Sequence, residues 1–307
     1  MSRRTPFADR TRTRARRVGV EGSAPTKDAS AAPYSLPGEA GGVLLLHGLT
    51  GSPWDLRPIA EGLAAAGYRV DAPRLAGHAS LESLARSRAA DWISASERAF
   101  DTLAAAGPVR AVVGFSMGSL LALRLASARP DLTCVAMSVP LELPRWQAVG
   151  AGALGWLREK SFGRLIGHHQ KSGGVDVRSG RERARNPGFG AIPYASIAEL
   201  ARLQADVRVR LSDLRSPLLL IHGRHDHAAP VEHSRRVSQC VSSAVVRRVV
   251  LEHSFHLLGR DLERGQVVRE VVDFVCQHGA AARDDVTSVS RSAAPPDDPH
   301  APADFDT

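Results

Sequence analysis

Residues 112–126 read VVGFSMGSLLALRLA: an apolar run, then glycine, serine and glycine at alternate positions, then apolar residues at helical spacing. A strand that turns at once into a helix brings two backbones very close, and only residues without a Cβ fit between them. Gly114 and Gly118 stand two residues to either side of Ser116, where that need arises. A G-x-S-x-G turn lifts the serine oxygen clear at the top of a sheet and points the free N–H groups of the next helix at the reacting atom. The same residues also suit a glycine-flanked helix cap, since Ser is a favoured N-cap, so the rest of the chain has to choose between the two.

That chain alternates two kinds of segment. GGVLLLHG, YRVDAP, VRAVVGF, LTCVAMSVP, SPLLLIHG and AVVRRVVLEH are short and apolar, whereas PWDLRPIAEGLAAAGY, AADWISASERAFDTLAAAG, PVEHSRRVSQCV and GQVVREVVDFVCQHG are amphipathic at helical period. Continuous apolar strands alternating with helices predict an α/β fold, a mostly parallel sheet covered on both faces. The regular series breaks at about 141–210, which holds WQAVGAGALGWLREK, the loose stretch KSGGVDVRSGRERARNPGFG and the helix-like SIAELARLQADVRVRL. An excursion this long, leaving the sheet at its carboxyl edge, is expected to be a lid. Residues 1–38 and 281–307 carry no periodicity and are expected to be disordered tails, basic and acidic respectively, around a single domain at 39–280.

Charge narrows the function classes. The net +8 of the 307 residues is not spread over the surface. Residues 1–20 hold seven arginines against one aspartate, residues 281–307 two arginines against six aspartates, and residues 145–186 nine basic against three acidic residues. The remaining body is neutral, which argues against a broad nucleic-acid face. The basic lid segment leaves open a peripheral contact with anionic lipid, neutralisation of an acidic substrate or product, or a plain solvated loop. Three widely spaced cysteines (Cys134, Cys240, Cys276) make no metal or redox motif and fit a reduced, cytoplasmic compartment. Ser2-Arg3-Arg4 has no apolar segment behind it, as an export signal would require.

Four segments meet at strand carboxyl ends. One delivers Ser116; LLLIHG runs into Arg224-His225-Asp226; VVRRVVL runs into Glu252-His253-Ser254-Phe255-His256; GVLLLHG runs into Leu49-Thr50-Gly51-Ser52-Pro53. Serine, acid and histidine in that chain order, each just past a strand, is the α/β-hydrolase arrangement. A serine hydroxyl needs a histidine to take its proton, and the imidazolium needs a carboxylate on its far nitrogen. His256 lies further onto its turn than His253, and Asp213 precedes its strand, so Asp226 and His256 are the expected partners. The backbone N–H groups of Met117 and Leu49 are the natural donors to the oxyanion. His225 and His227 flank Asp226 but lack the further ligands of a metal site, so no metal is expected. His47 and His78 are expected to brace loops.

Four stretches carry a resemblance: LLLHGLTGSPWDLRPIAEGLAAAGYRVDAPRLAGH, VVGFSMGSLLALRLA, SPLLLIHGRHDHAAP and LEHSFHLLGRD. Over residues 40–277 the chain resembles the bacterial monoacylglycerol lipase and carboxylesterase family of α/β hydrolases. The resemblance implies a triad of Ser116, Asp226 and His256, oxyanion amides at Leu49 and Met117, no cofactor, and a small helical cap inserted after the sixth strand over an apolar acyl pocket. Leu49 stands where that family commonly has an aromatic, and the arginine-rich cap departs from it most. The implied activity is hydrolysis of monoacylglycerols or medium-chain acyl esters. Thioesterase, peptidase or acyltransferase chemistry would use the same triad, and a catalytically silent ligand-binding version of the fold is the alternative from outside enzymes.

Overall fold

The structure, a computed structural model, describes residues 31–143, 167–171 and 174–279. Its frame is a seven-stranded sheet of β1 (Tyr34–Leu36), β2 (Gly42–Leu46), β3 (Arg69–Ala72), β4 (Val109–Phe115), β5 (Thr133–Met137), β8 (Leu218–Gly223) and β9 (Val246–Leu251). The spatial order is β1-β3-β2-β4-β5-β8-β9. Every neighbouring pair is parallel except β1 with β3 at the edge. Parallel neighbours require crossovers, and α1 (Arg57–Ala65), α2 (Leu81–Arg86), α3 (Ala89–Ala105), α4 (Met117–Ser127), α7 (Glu232–Cys240) and α8 (Arg264–His278) lie in them or come after the last strand.

Both faces of the sheet are covered, which is why its central strands read as unbroken apolar runs. Along β2, Leu44 and Leu46 join one core with Trp92 of α3 and Leu120 and Leu121 of α4. Val43 and Leu45 point the other way, into a second core with Ile59 and Leu63 of α1 and Val267, Val271 and Phe274 of α8. The spacing of those α8 residues is the helical stripe that the sequence displays. Each fully buried Leu, Ile or Val stabilises this sandwich by about 1.5–3 kcal/mol.

The insertion leaves the sheet after β5 and returns at β8. Within it lie β6 (His168–Gln170), α5 (Gly180–Arg185), β7 (Ala191–Pro193) and α6 (Tyr194–Arg210), with β6 and β7 paired antiparallel. The cap is thus not purely helical, and it comes after the fifth strand in chain order, one earlier than the expected count. Three-residue strands are too short to show an alternation, so this antiparallel pair has no sequence signature. The apolar stretch WQAVGAGALGWLREK lies outside the described residues.

Two further expectations need correcting. β1 falls inside the stretch 1–38 assigned to a disordered tail. Its order comes from pairing with β3, from the Tyr34 hydroxyl donating to the Pro53 carbonyl at 3.2 Å, and from Arg57 lying 4.3 Å over the Tyr34 ring. Helix α2 is the second, a helix absent from the expected series. It is six residues long, started by Ser80, whose hydroxyl accepts the Ser83 N–H at 3.1 Å. Among the described residues no helix is long and apolar enough to cross a membrane.

Candidate active site

The turn between β4 and α4 places Ser116 in the left-handed region, at φ +54° and ψ −121°. A non-glycine residue there is strained, and the surroundings hold it: its N–H donates to the Met137 carbonyl at 2.9 Å. The flanking glycines have a steric reason. A Cβ on Gly114 would sit 2.1 Å from the Gly118 carbonyl oxygen, and one on Gly118 would sit 2.0 Å from the Leu46 carbonyl oxygen. Both obstacles are backbone, so neither can swing aside.

Across from Ser116, the turn after β9 presents His256 and the turn after β8 presents Asp226. His256 Nε2 lies 2.9 Å from Ser116 Oγ, and His256 Nδ1 lies 2.8 Å from Asp226 Oδ2. The Asp226 side chain is fully buried and that of His256 is 13% exposed. Both carboxylate oxygens face further groups: Oδ1 accepts the N–H groups of Ala228 and Ala229 at 2.9 and 2.7 Å, and His222 Nε2 lies 3.3 Å from Oδ2. Burial opposes ionisation of Asp226, but the imidazoles of His256 and His222 overcome it and hold the carboxyl far below its usual range. His256 is likewise penalised by burial, and Asp226 more than offsets this, so its pKa lies above the ordinary histidine value.

The glycine-rich turn after β2 runs alongside. A Cβ on Gly48 would approach Ser116 Cβ to 3.0 Å, so the turn that carries Leu49 packs directly against Ser116. Met117, the first residue of α4, comes directly after Ser116. Among the described residues neither the Leu49 nor the Met117 N–H donates to another group. His47 braces this turn: its Nδ1 bonds the Gly48 carbonyl at 2.9 Å and its Nε2 accepts the Leu75 N–H at 3.0 Å. Complete burial keeps its pKa well below normal, so it is the neutral imidazole these bonds require. His78 stacks edge-on against His47 at 4.7 Å and bonds the Ala76 carbonyl.

The residues set aside on sequence grounds lie elsewhere. Asp213 sits in the short 3-10 turn ahead of β8, at the opposite edge. His253 is exposed, with its N–H on Glu263 at 2.9 Å. His227 bonds Asp176 of the cap at 2.8 Å rather than a neighbouring ligand. Among the described residues no three metal-ligating side chains form a cluster.

Several participants escape sequence reasoning. His222, buried in β8, bonds the Ala229 carbonyl at 2.9 Å as well as touching Asp226. Ser138, also at positive φ, donates from Oγ to the His256 carbonyl at 2.8 Å and so fixes that turn. Asp261 joins the histidine turn to the cap by accepting from Phe255, Arg178 and Ser179 N–H groups. From the cap, Lys171 reaches Thr50 Oγ1 at 2.5 Å, and the Phe189 N–H bonds the Thr50 carbonyl at 2.9 Å. The one available signal for Lys171 is its rarity, as the chain has three lysines among forty basic residues.

Comparison with known proteins agrees with this geometry. Residues 39–263 match the family described as serine aminopeptidase, S33. The chain is 31% identical to a thermostable monoacylglycerol lipase of Bacillus sp. strain H-257, over 77% of this chain and 91% of that one. It is 27% identical to a carboxylesterase of Bacillus subtilis strain 168, over 79% and 95% respectively. A solved structure from work on two metagenome-derived lipolytic enzymes, LipS and LipT, superposes with a TM-score of 0.73 at 26% identity, covering 81% of this chain and 98% of the other.

Proposed function

The chain belongs to the serine aminopeptidase, S33, family of α/β hydrolases, and we propose that it is a serine hydrolase of carboxylic esters, acting on monoacylglycerols or medium-chain acyl esters. The observation that carries this reading is the continuous relay from Ser116 Oγ through His256 to Asp226, at 2.9 and 2.8 Å. Its likeness to a monoacylglycerol lipase and a carboxylesterase supports the substrate class.

The chemistry comes from the atoms in place. Ser116 Oγ attacks the ester carbonyl as His256 Nε2 takes its proton, and Asp226 stabilises the resulting imidazolium. The carbonyl oxygen gains the charge and is received by the Leu49 and Met117 N–H groups, already oriented by a braced turn and a helix start. Collapse breaks the bond to the alcohol oxygen, which leaves with the proton from His256, and an acyl group remains on Ser116. Water then gives a proton to His256 and adds to the acyl carbon; the acid departs and Ser116 recovers its proton. No step calls for a metal or cofactor.

A peptidase would use the same relay, and the family's description raises it. An aminopeptidase must hold the free α-ammonium of its substrate, which requires unpaired carboxylate at the entrance. Among the described cap residues, Asp176 is paired with His227, and the Lys171 ammonium reaches the oxyanion turn at Thr50. That charge repels a substrate ammonium and so disfavours the aminopeptidase reading. Turnover of monoacylglycerols and p-nitrophenyl esters of graded chain length by the wild type and by Ser116→Ala tests the assignment. Activity should vanish in the variant; a variant that kept it would remove Ser116 from the mechanism.

A further inference from the structure

Lys171 comes directly after β6 and its side chain is partly buried against the turn that follows β2. One of its three N–H groups goes to Thr50 Oγ1; the other two have no partner among the described residues. Thr50 comes directly after Leu49 and stands at φ +62°. From Gly48, packed against Ser116, two residues of chain and one hydrogen bond lead to the ammonium, which places it on the order of 10 Å from the nucleophile. Its positive charge opposes protonation of His256.

The counter-charge is insufficient. Among the described residues Asp55 is the acid that stabilises the Lys171 cation, yet Asp55 is itself buried, with its oxygens taken by the Ser52 N–H at 3.1 Å and by Asn186 Nδ2 at 3.2 Å. Burial pushes the Asp55 carboxyl up to about 6 and the Lys171 ammonium down to about 8. Arg260 also draws on Asp55, and Asp176 acts on His256 from the cap side. A partly desolvated cation with spare donors, beside an oxyanion turn, is an anion site waiting for the substrate to complete it.

We infer that Lys171 forms a subsite for a negatively charged substituent, a carboxylate or phosphate borne near the scissile carbonyl, so that the enzyme prefers anionic esters to neutral esters of the same size. This rests on the ester-hydrolase reading and adds a charge preference to it. The substituent belongs either to the acyl or to the alcohol part, and the two arms of the test tell them apart.

In the acyl arm, the p-nitrophenyl ester of glutaric acid is compared with that of its neutral monomethyl ester. In the alcohol arm, the acetate of 4-hydroxybenzoate is compared with that of its methyl ester. The ratio of kcat/KM, anionic over neutral, is measured for the wild type, Lys171→Arg and Lys171→Met, which cancels intrinsic reactivity. In one arm the ratio should be about fivefold higher in the wild type and Lys171→Arg than in Lys171→Met, for unit charges roughly 8 Å apart across a partly hydrated cleft. It should also fall as pH rises through about 8 in the wild type and hold in Lys171→Arg. Equal ratios for all three proteins in both arms, or a wild-type ratio flat across that pH range, overturn the subsite. Absence of turnover on all four esters, with no labelling of Ser116 by a fluorophosphonate, instead removes the ester-hydrolase reading beneath it.

Discussion

Asp226→Asn changes one atom at the far end of the relay, and the neighbouring groups dictate how the new side chain must sit. Asp226 Oδ1 accepts two backbone N–H groups, from Ala228 and Ala229, so only the amide oxygen of an asparagine can occupy that position. The NH2 group must then face His256 Nδ1, which the carboxylate met at 2.8 Å. A donor there turns Nδ1 into an acceptor and moves the imidazole proton to Nε2, where it points at Ser116 Oγ. His256 can no longer take the serine proton. For a Ser–His–Asp site locked in the wrong tautomer the cost is about 10⁴ in kcat, or about 5.5 kcal/mol. Stability should change far less, by about 1 kcal/mol for the lost contact with His222. Ester turnover at pH 7.5 and a urea melt of the same preparation measure both. A variant that folds normally and keeps more than a tenth of wild-type kcat would refute the tautomer argument.

The same contacts set three other outcomes. Gly118→Ala puts a Cβ 2.0 Å from the Leu46 carbonyl, so β2 and α4 must separate; urea denaturation should show a loss of at least about 1–3 kcal/mol, and kcat should fall with it. Because Asp226 raises the His256 pKa, the acid limb of kcat/KM should lie above pH 6.5, as the imidazole must be neutral to act; a midpoint well below that value in a pH–rate profile would contradict the coupling. Asp55 gives the opposite of the usual carboxylate behaviour: its folded pKa, about 6, exceeds the unfolded value, so its contribution to stability declines as pH rises from about 4 to 6. The urea midpoint of the wild type should drop across that window relative to Asp55→Asn, and parallel curves would show that Asp55 is ionised throughout.

The parts of this site visible in the sequence are those where geometry leaves one residue type. Gly114, Ser116 and Gly118 are legible because backbone contacts near 2 Å admit nothing larger than glycine on either side of the serine. Asp226 and His256 are legible because each comes after an apolar run at the edge where ligands bind. The supporting groups are hidden, since their roles depend on contacts far apart in the chain. His222 reads as one more buried strand position and Ser138 as a residue after a strand, yet one meets Asp226 and the other the His256 carbonyl. The cap hides most, because β6 and β7 are three residues each and Lys171 acquires its meaning only by touching a turn 121 positions away.

The central claim is that Ser116 becomes covalently acylated. Incubating the protein with a fluorophosphonate and mapping the modified peptide by mass spectrometry tests it most directly, with His256→Ala as the companion. The account predicts a single adduct on Ser116 in the wild type and labelling at least a hundredfold slower in the variant, about 10² being the low end for loss of a general base. An adduct on another residue, or equal labelling rates in the two proteins, would contradict it.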